Sequence, residues 1–390
     1  MAPIRVALIG LSASAKTSWA VEGHLPYLLS PKGKSKYQIV ALLNSSVDAA
    51  KDAIATFELP ASTKAYGDPQ DLANDPDIDL VVNNTRTDVH YGTIKPSIEA
   101  GKHAYVEWPL AHSVPAAIEL RDLAAKKYVR TMVGLQGRLS PVILKVSEVL
   151  GDGENGKIGK VLSSDARAFG SLLRRDRFSE GLAYFADRKI GGHPVSIHFG
   201  HMIDFIHSVL GEFSSFQSHA QVQRPEVFIT SGHWSSSNDT SSVAGTIKSD
   251  VPDLVSVQGT LKSSDLISEG ATLTVTYRNG PSFPGTPAFV WTIAGTKGEL
   301  RVTSPEGPYL QSHCYGSDDK PAGIKIEVHN YGSNTVETVP WHWSDLQKSL
   351  DMRFAHSGGK APWPTFGDAV VRHKQIAQIL KAFDEKSVTS

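Results

Sequence analysis

"DIDLVVNNTRTDVHYGTIKPSIEAGKHAYVEW", residues 77–108, is the stretch on which the fold turns. "DIDLVVNN" (77–84) and "KHAYVEW" (102–108) are short runs rich in strand-forming residues, and "VHYGTIKPSIEAG" (89–101) between them has the length of a helix. A strand, a helix and a second strand read as a right-handed crossover joining parallel neighbours. The same rhythm runs outward in both directions. "IRVALIG" (4–10), "YQIVALLN" (37–44) and "YVRTMVGLQ" (128–136) are further β-rich runs. "SVDAAKDAIATF" (46–57) and "SVPAAIELRDLAAKK" (113–127) are further helices. Alternating strands and helices predict a doubly wound parallel sheet, an α/β Rossmann-type domain over residues 1–137.

After residue 137 the rhythm changes. A helix is expected at 141–150, a turn-rich "GDGENGKIG" follows, and a long helical pattern covers 193–210. Strands then follow one another at 215–223, 254–262, 271–279, 288–296, 298–304, 324–330 and 336–341. Consecutive strands predict a large, mainly antiparallel open sheet, so residues 138–390 read as an α+β domain closed by a helix at 366–384. "AFVWTIAG" and "LTVTY" alternate bulky residues, which predicts an apolar outer sheet face covered by a second copy, a homodimer. "SGHWSSSNDTSS" (231–242) reads as a polar loop, and no internal repeat is visible.

Composition sets outer bounds. A chain of 390 residues suits two domains, because single cores stop growing at roughly 250–300 residues. The formal net charge of −1 gives no electrostatic reason to expect DNA, RNA or an anionic membrane surface as a partner. No apolar run approaches a membrane span. The opening "MAPIRVALIGLS" enters a strand at once, leaving no room for a cleavable leader, and the single cysteine, Cys314, has no internal partner. These features predict a reducing, cytoplasmic setting.

The first strand ends in a possible ligand turn, "VALIGLSASAKTSWAVEGHLP". A dinucleotide pyrophosphate sits where a first strand ends in glycine and turns into a helix. Of the G-x-G-x-x-G fingerprint, Gly10 supplies the first position, Ser12 stands at the second and Ala15 at the third; Ala13 lies within the turn. The second strand ends in Asn44, Ser45 and Ser46, with no carboxylate to take both ribose hydroxyls. Nothing there repels a 2′-phosphate, so NADP(H) is favoured and NAD(H) is the second choice. No arginine follows; Lys51 is the nearest cation.

Asn84, His90, Ala100, Gly101, Lys102, His103, Glu107 and Pro109 bring a more specific signal. They resemble the glucose–fructose oxidoreductase / inositol dehydrogenase / MocA family, in which A-G-K-H-V-x-x-E-K-P follows the strand. "GLQGRLSP" (134–141), "GKIGKV" (156–161), "GHMIDFI" (200–206) and "GTKGELRV" (295–302) fall at further family landmarks. The resemblance implies a nicotinamide-binding Rossmann domain, then a domain with a large open sheet whose outer face often makes a dimer. "EWPLA", "LQGRLSPVIL" and "FGHMID" are most similar to the fungal branch that includes the galactose-pathway transcription inhibitor of yeasts, a binder of a dinucleotide and of a transcription activator.

The resemblance implies a lysine at position 108, beside the nicotinamide, and the chain has Trp108 instead. An indole carries no titrating proton at neutral pH. The family's D-x-G-x-H-x-x-D element falls on "IHFGHMID" (197–204): Ile197 and Phe199 replace its acid and glycine, while His201 and Asp204 remain. His201 is thus the candidate proton donor. His193, His198 and His207 share its segment, with His198 a reserve candidate. Without H-E-x-x-H or paired-Cys spacing no zinc site is expected. Tyr184, Arg188 and Lys189 precede the helix; Tyr184 and Lys189 are further catalytic candidates. Lys102 and His103 fall at the wrong end of their strand for chemistry, whereas Glu107 and Trp108 fall at the ligand end, and Arg138 follows the next strand as a cofactor or substrate contact. The cofactor set is Gly10, Ser12, Ala13, Asn44, Ser45, Asn84, His90, Glu107, Trp108 and Arg138. The function expected is NADP(H)-dependent hydride transfer with a small carbonyl, imine or alcohol. The alternative is a catalytically silent dinucleotide sensor that binds a transcription factor.

Overall fold

The computed structural model describes residues 2–12, 19–231, 243–310, 323–342 and 363–388. Ala13, Ala15, Cys314 and nearly all of the polar stretch 231–242 lie outside the described residues. The chain divides into two compact units. The first comprises Met1–Gly134, Arg188–Gly192 and Pro364–Lys374, and the second Leu135–Asp187, His193–Trp363 and Gln375–Ser390. Sequence rhythm places the boundary near 137 but gives no hint that two later segments return to the first unit.

The first unit is a six-stranded parallel sheet in the order β3-β2-β1-β4-β5-β6. Its strands are β1 (Ile4–Ile9), β2 (Tyr37–Leu43), β3 (Lys64–Tyr66), β4 (Leu80–Asn83), β5 (His103–Val106) and β6 (Thr131–Val133). The central strands read as apolar runs because both faces are buried: all four residues of β4 are inaccessible or nearly so. The order reverses between β1 and β4, which places a ligand crevice at the carboxyl ends of those two strands. The crossover helices start where polar caps allow: Ser46 accepts from the Ala49 N–H and Ser113 from the Ala116 N–H.

The other end of this sheet is tied by charge. The Asp75 carboxylate accepts from Lys64 Nζ at 2.9 Å, Tyr66 Oη at 2.8 Å and the Asp77 N–H at 2.9 Å. Arg5 forks onto Asp79. Lys102 donates to the carbonyls of Asp75 and Ile78. Short strand β3 thereby holds its place at the sheet edge.

The second unit carries an eight-stranded sheet in the order β17-β16-β15-β14-β7-β13-β12-β9. These strands are β7 (Val161–Gly170), β9 (Phe213–Gln221), β12 (Leu254–Leu261), β13 (Ile267–Asn279), β14 (Phe289–Gly295), β15 (Gly298–Ser304), β16 (Lys325–Asn330) and β17 (Thr335–Thr338). The β7–β13 pair is parallel and the other pairs are antiparallel. A three-stranded sheet, β11-β10-β8, is built from β8 (Arg177–Ser179), β10 (Glu226–Thr230) and β11 (Val243–Lys248). Sequence reading omits β7, although it lies mid-sheet. Its inward residues are small because large neighbours cross over them. Ala166 pairs with Trp291 and Val275, and Ala168 with Phe289 and Tyr277. A Cβ on Gly170 would come closer to the Tyr277 hydroxyl than any real contact allows.

One expectation is corrected here. The bulky residues of β13 and β14 do not form an outer apolar face: Leu273, Val275, Tyr277, Phe289, Trp291 and Ile293 are all buried within the chain. The opposite face carries rows such as Thr274–Asp165–Thr292–Arg301 and Thr276–Arg167–Val290–Thr303. Period-2 alternation identifies a two-faced strand but not which face meets the core. Among the described residues no helix is long and apolar enough to cross a membrane.

The charged network fixes a pH response. Burial pushes the Asp75 carboxyl up, but the Asp77 amide, Lys64 and Tyr66 outweigh it, and Arg5 holds Asp79 down; both lie below their ordinary 3.8. A carboxyl lowered by folding stabilises fully above its unfolded pKa and loses that contribution as pH falls through the folded value. Asp75→Asn should therefore cost about 1–3 kcal/mol at neutral pH. In urea titrations the gap from wild type should close as pH drops below 3.8. A gap unchanged by acid would remove the carboxylate from this role.

Candidate functional site

At the end of β1 the chain turns with Gly10 at φ +87°; a Cβ there would stand 2.9 Å from Thr85 Cγ2 and 3.3 Å from the Asn84 backbone. Only glycine suits both the angle and the approach. The Asn84 N–H donates to Ile9 O, so the loops after β1 and β4 meet at the switch point. The Asn44 amide donates to the carbonyls of Leu11 and Ala49, joining the end of β2 to the same turn. Ser45 is exposed beside it, and Ser46 is spent as a helix cap. Two buried oxygens, Asn44 Oδ1 and Asn84 Oδ1, have no hydrogen-bond partner among the described residues. Buried acceptors want donors, and the ribose and carboxamide groups of a dinucleotide carry donors. The turn, the missing carboxylate on β2 and these two oxygens fit such a ligand.

The loops after β4 and β5 are held by His90, which is almost wholly buried on the helix Thr87–Glu99. Its Nδ1 lies 2.8 Å from Pro109 O and its Nε2 2.7 Å from Thr85 O. Burial lowers its pKa despite the two carbonyls. Its ring is thus engaged with the protein's own backbone, where sequence reading has it as a cofactor contact. Asn83, which sequence reading passes over, accepts from Thr85 N and Oγ1 and donates to Thr93 Oγ1 and His90 O.

Glu107 and Trp108 follow β5 at the ligand end. Glu107 N donates to Asn83 O, and its carboxylate Oε1 lies 2.5 Å from His24 Nε2. His24 ends a π-helical turn, Ala20–His24, and meets Tyr105 edge-on at 5.0 Å. Trp108, 5% exposed, packs on His373 with ring centroids 4.7 Å apart. His373 lies in the segment that returns to the first unit. Burial, then His90 and His112, push its pKa down to about 3. The position of the family lysine is therefore filled by an indole against a neutral imidazole. His24 and His373 are both absent from the sequence-based candidates, because neither sits in a recognisable motif.

Lys189 is exposed on a short 3₁₀ turn, Arg188–Ile190, of the first unit. The next residue but one, Gly191, has φ +76° and lies so close to the His112 backbone that a Cβ would come within 2.4 Å of its Cα.

In the second unit a π-helical turn, Val195–Phe199, leads into the helix Gly200–Leu210. His198, His201 and Asp204 recur every third residue on one side of it. His201 is half-buried. Asp204 is buried and takes both Arg138 Nε at 2.7 Å and Arg138 Nη2 at 2.8 Å. Arg138 is thus a forked partner of Asp204 rather than an open cation. His198 Nδ1 lies 3.2 Å from Tyr277 Oη and 3.4 Å from Tyr309 Oη, and burial, then His201, push its pKa down to about 3. Tyr184 packs on a small core of Leu173, Phe178, Leu182 and Phe185, its ring edge-on to Phe185. The helix ends where His207 Nδ1 donates to Gly211 O at 2.7 Å. Among the described residues no group of three or more His, Cys, Asp or Glu could hold a metal ion.

Residues 4–135 match the oxidoreductase family GFO_IDH_MocA with its NAD-binding Rossmann fold, and residues 141–304 match the C-terminal domain of Gal80p. Dehydrogenase aclE of Aspergillus oryzae is 30% identical over 99% of this chain and 98% of its own length. The galactose/lactose metabolism regulatory protein GAL80 of Saccharomyces cerevisiae is 28% identical over 78% of this chain and 68% of its own. A solved super-repressor mutant of Gal80p from the same yeast has the same fold, with a TM-score of 0.80 at 23% identity over 99% of this chain and 97% of that one.

A lysine placed at position 108 would bring an ammonium group into a buried position packed against a neutral imidazole. Trp108→Lys should destabilise the first unit by about 2 kcal/mol or more, the cost of an unpaired buried charge plus lost packing. Thermal unfolding followed by circular dichroism measures it; an unchanged midpoint would mean that the position is open to solvent.

Proposed function

Because the chain belongs to the glucose–fructose oxidoreductase / inositol dehydrogenase / MocA family and carries a Gal80p-like C-terminal domain, we propose that it is an NADP(H)-dependent oxidoreductase acting on a carbonyl, imine or alcohol. The observation that carries this reading is the end-to-end match to a dehydrogenase, 99% of one chain against 98% of the other. When bound, the nicotinamide supplies or accepts the hydride. The protein's part is to hold it: Gly10 and Ser12 at the pyrophosphate turn, Asn44 and Ser45 towards the adenosine end, Asn84 and Glu107 towards the nicotinamide. His201 is the proposed proton donor, standing one turn from the Arg138–Asp204 fork that anchors its helix. Trp108 shapes the pocket wall, which suits a substrate with an apolar or aromatic face.

The rival reading is a dinucleotide sensor that binds a transcription factor. The absence of lysine at Trp108 and of an acid at Ile197 favours it, as does the likeness to GAL80 regulators. As part of the enzyme reading we also assign a homodimer joined over the outer face of the eight-stranded sheet. Its support is the family likeness, since that face is rich in threonine and charge; a monomer by light scattering at micromolar concentration overturns it.

Fluorescence titration should show NADPH binding tighter than NADH, because no carboxylate closes β2; the reverse order removes the NADP assignment. A screen of ketones, imines and sugars, read by NADPH depletion, should find a substrate. His201→Ala should then cut turnover by about 10²–10⁴-fold with NADPH affinity kept. If no class consumes NADPH while a transcription factor is retained in a dinucleotide-dependent manner, the sensor reading stands instead.

A further inference from the structure

His24 and Glu107, in contact with each other, come from opposite sides of the switch point. His24 follows β1 and its helical turn, and Glu107 follows β5. Their side chains are 16% and 12% exposed, and the ring and carboxylate meet at 2.5 Å. The two groups are in direct hydrogen-bond contact. The pair stands at the carboxyl ends of β4 and β5, where the Glu107 amide is tied to Asn83 O. In a doubly wound sheet the two halves take one mononucleotide each. The half containing β2 faces the adenosine ribose, so the half containing β4, β5 and β6 takes the nicotinamide.

We propose that the His24–Glu107 pair is a charge-matching element for the nicotinamide ring, whose protonation follows the redox state of the bound dinucleotide. The proposal rests on reading the first unit as a dinucleotide site, but not on catalysis. With His24 protonated the pair is neutral overall; with His24 neutral it carries one negative charge. The oxidised ring bears a positive charge and the reduced ring none. The oxidised form therefore binds best against the negative pair and gives up its advantage when His24 takes a proton. Imidazole is the side chain that ordinarily changes charge between pH 5 and 8. The groups seen facing the His24 ring are Glu107 and Tyr105, both from the β5 segment. His90 and His373 do not compete for this role, since burial lowers the pKa of both.

The test uses the full chain with NADP⁺ and NADPH, titrated by calorimetry between about pH 6 and 8.5. The 2′-phosphate is common to both forms and cancels in the ratio of their affinities. That ratio should shift toward NADP⁺ by about fivefold or more as pH rises, the scale of one unit charge acting on another a few ångströms away at a partly exposed site. The midpoint should coincide with the His24 ring titration seen by NMR. His24→Gln should flatten the ratio, and Glu107→Gln, which keeps the shape of the carboxylate, should move the midpoint to lower pH. A ratio that is flat in the wild type, or equally steep in His24→Gln, overturns the proposal; so does failure of both forms to bind. A linked ratio in a protein that turns over no substrate would sustain it and sink the enzyme reading alone.

Discussion

His90 carries the geometry of the first unit. One buried ring lies within hydrogen-bonding distance of Thr85 O, in the loop after β4, and of Pro109 O, in the loop after β5. Asn83 secures the first of these loops through Thr85, Thr93 and the His90 carbonyl. That bridge joins the two loops, and the Glu107 N–H to Asn83 O bond ties the same segment to the sheet. With it, Glu107 meets His24 and Trp108 meets His373. Burial lowers the pKa of the bridging ring, and in its neutral form it has one N–H and donates to one of the two carbonyls at a time.

The same economy of charge extends along the crevice wall. Where the family resemblance implies a lysine, the chain buries an indole against an imidazole of low pKa. Beside it, Glu107 meets His24, a group from a distant crossover. In the second unit Arg138 is spent on Asp204, one turn from the retained histidine, through two hydrogen bonds. A forked pair of this kind fixes direction as well as distance, and it orients the helix face that bears His201.

Read alone, the sequence determined the alternation of strand and helix to residue 137, the glycine turn at Gly10, the lack of a carboxylate on β2 and the runs of strands in the second half. These are local properties: burial on both faces makes β1 and β4 apolar, and φ > 0 against a neighbouring backbone demands glycine. The family likeness, carried by residues 77–111, was legible for the same reason, as a compact run of spaced residues. The tertiary structure decided the rest. It placed His373 on Trp108, His24 on Glu107 and Asp204 on Arg138, pairs separated by long stretches of chain with no motif to link them. It made β7 a central strand although its inward alanines have little strand preference, because Trp291 and Tyr277 supply the bulk from either side. It also turned the bulky face of β13 and β14 inward, which period-2 alternation leaves open. Periodicity is set by the backbone and is written residue by residue; partnership is set by packing, and is written in no single stretch.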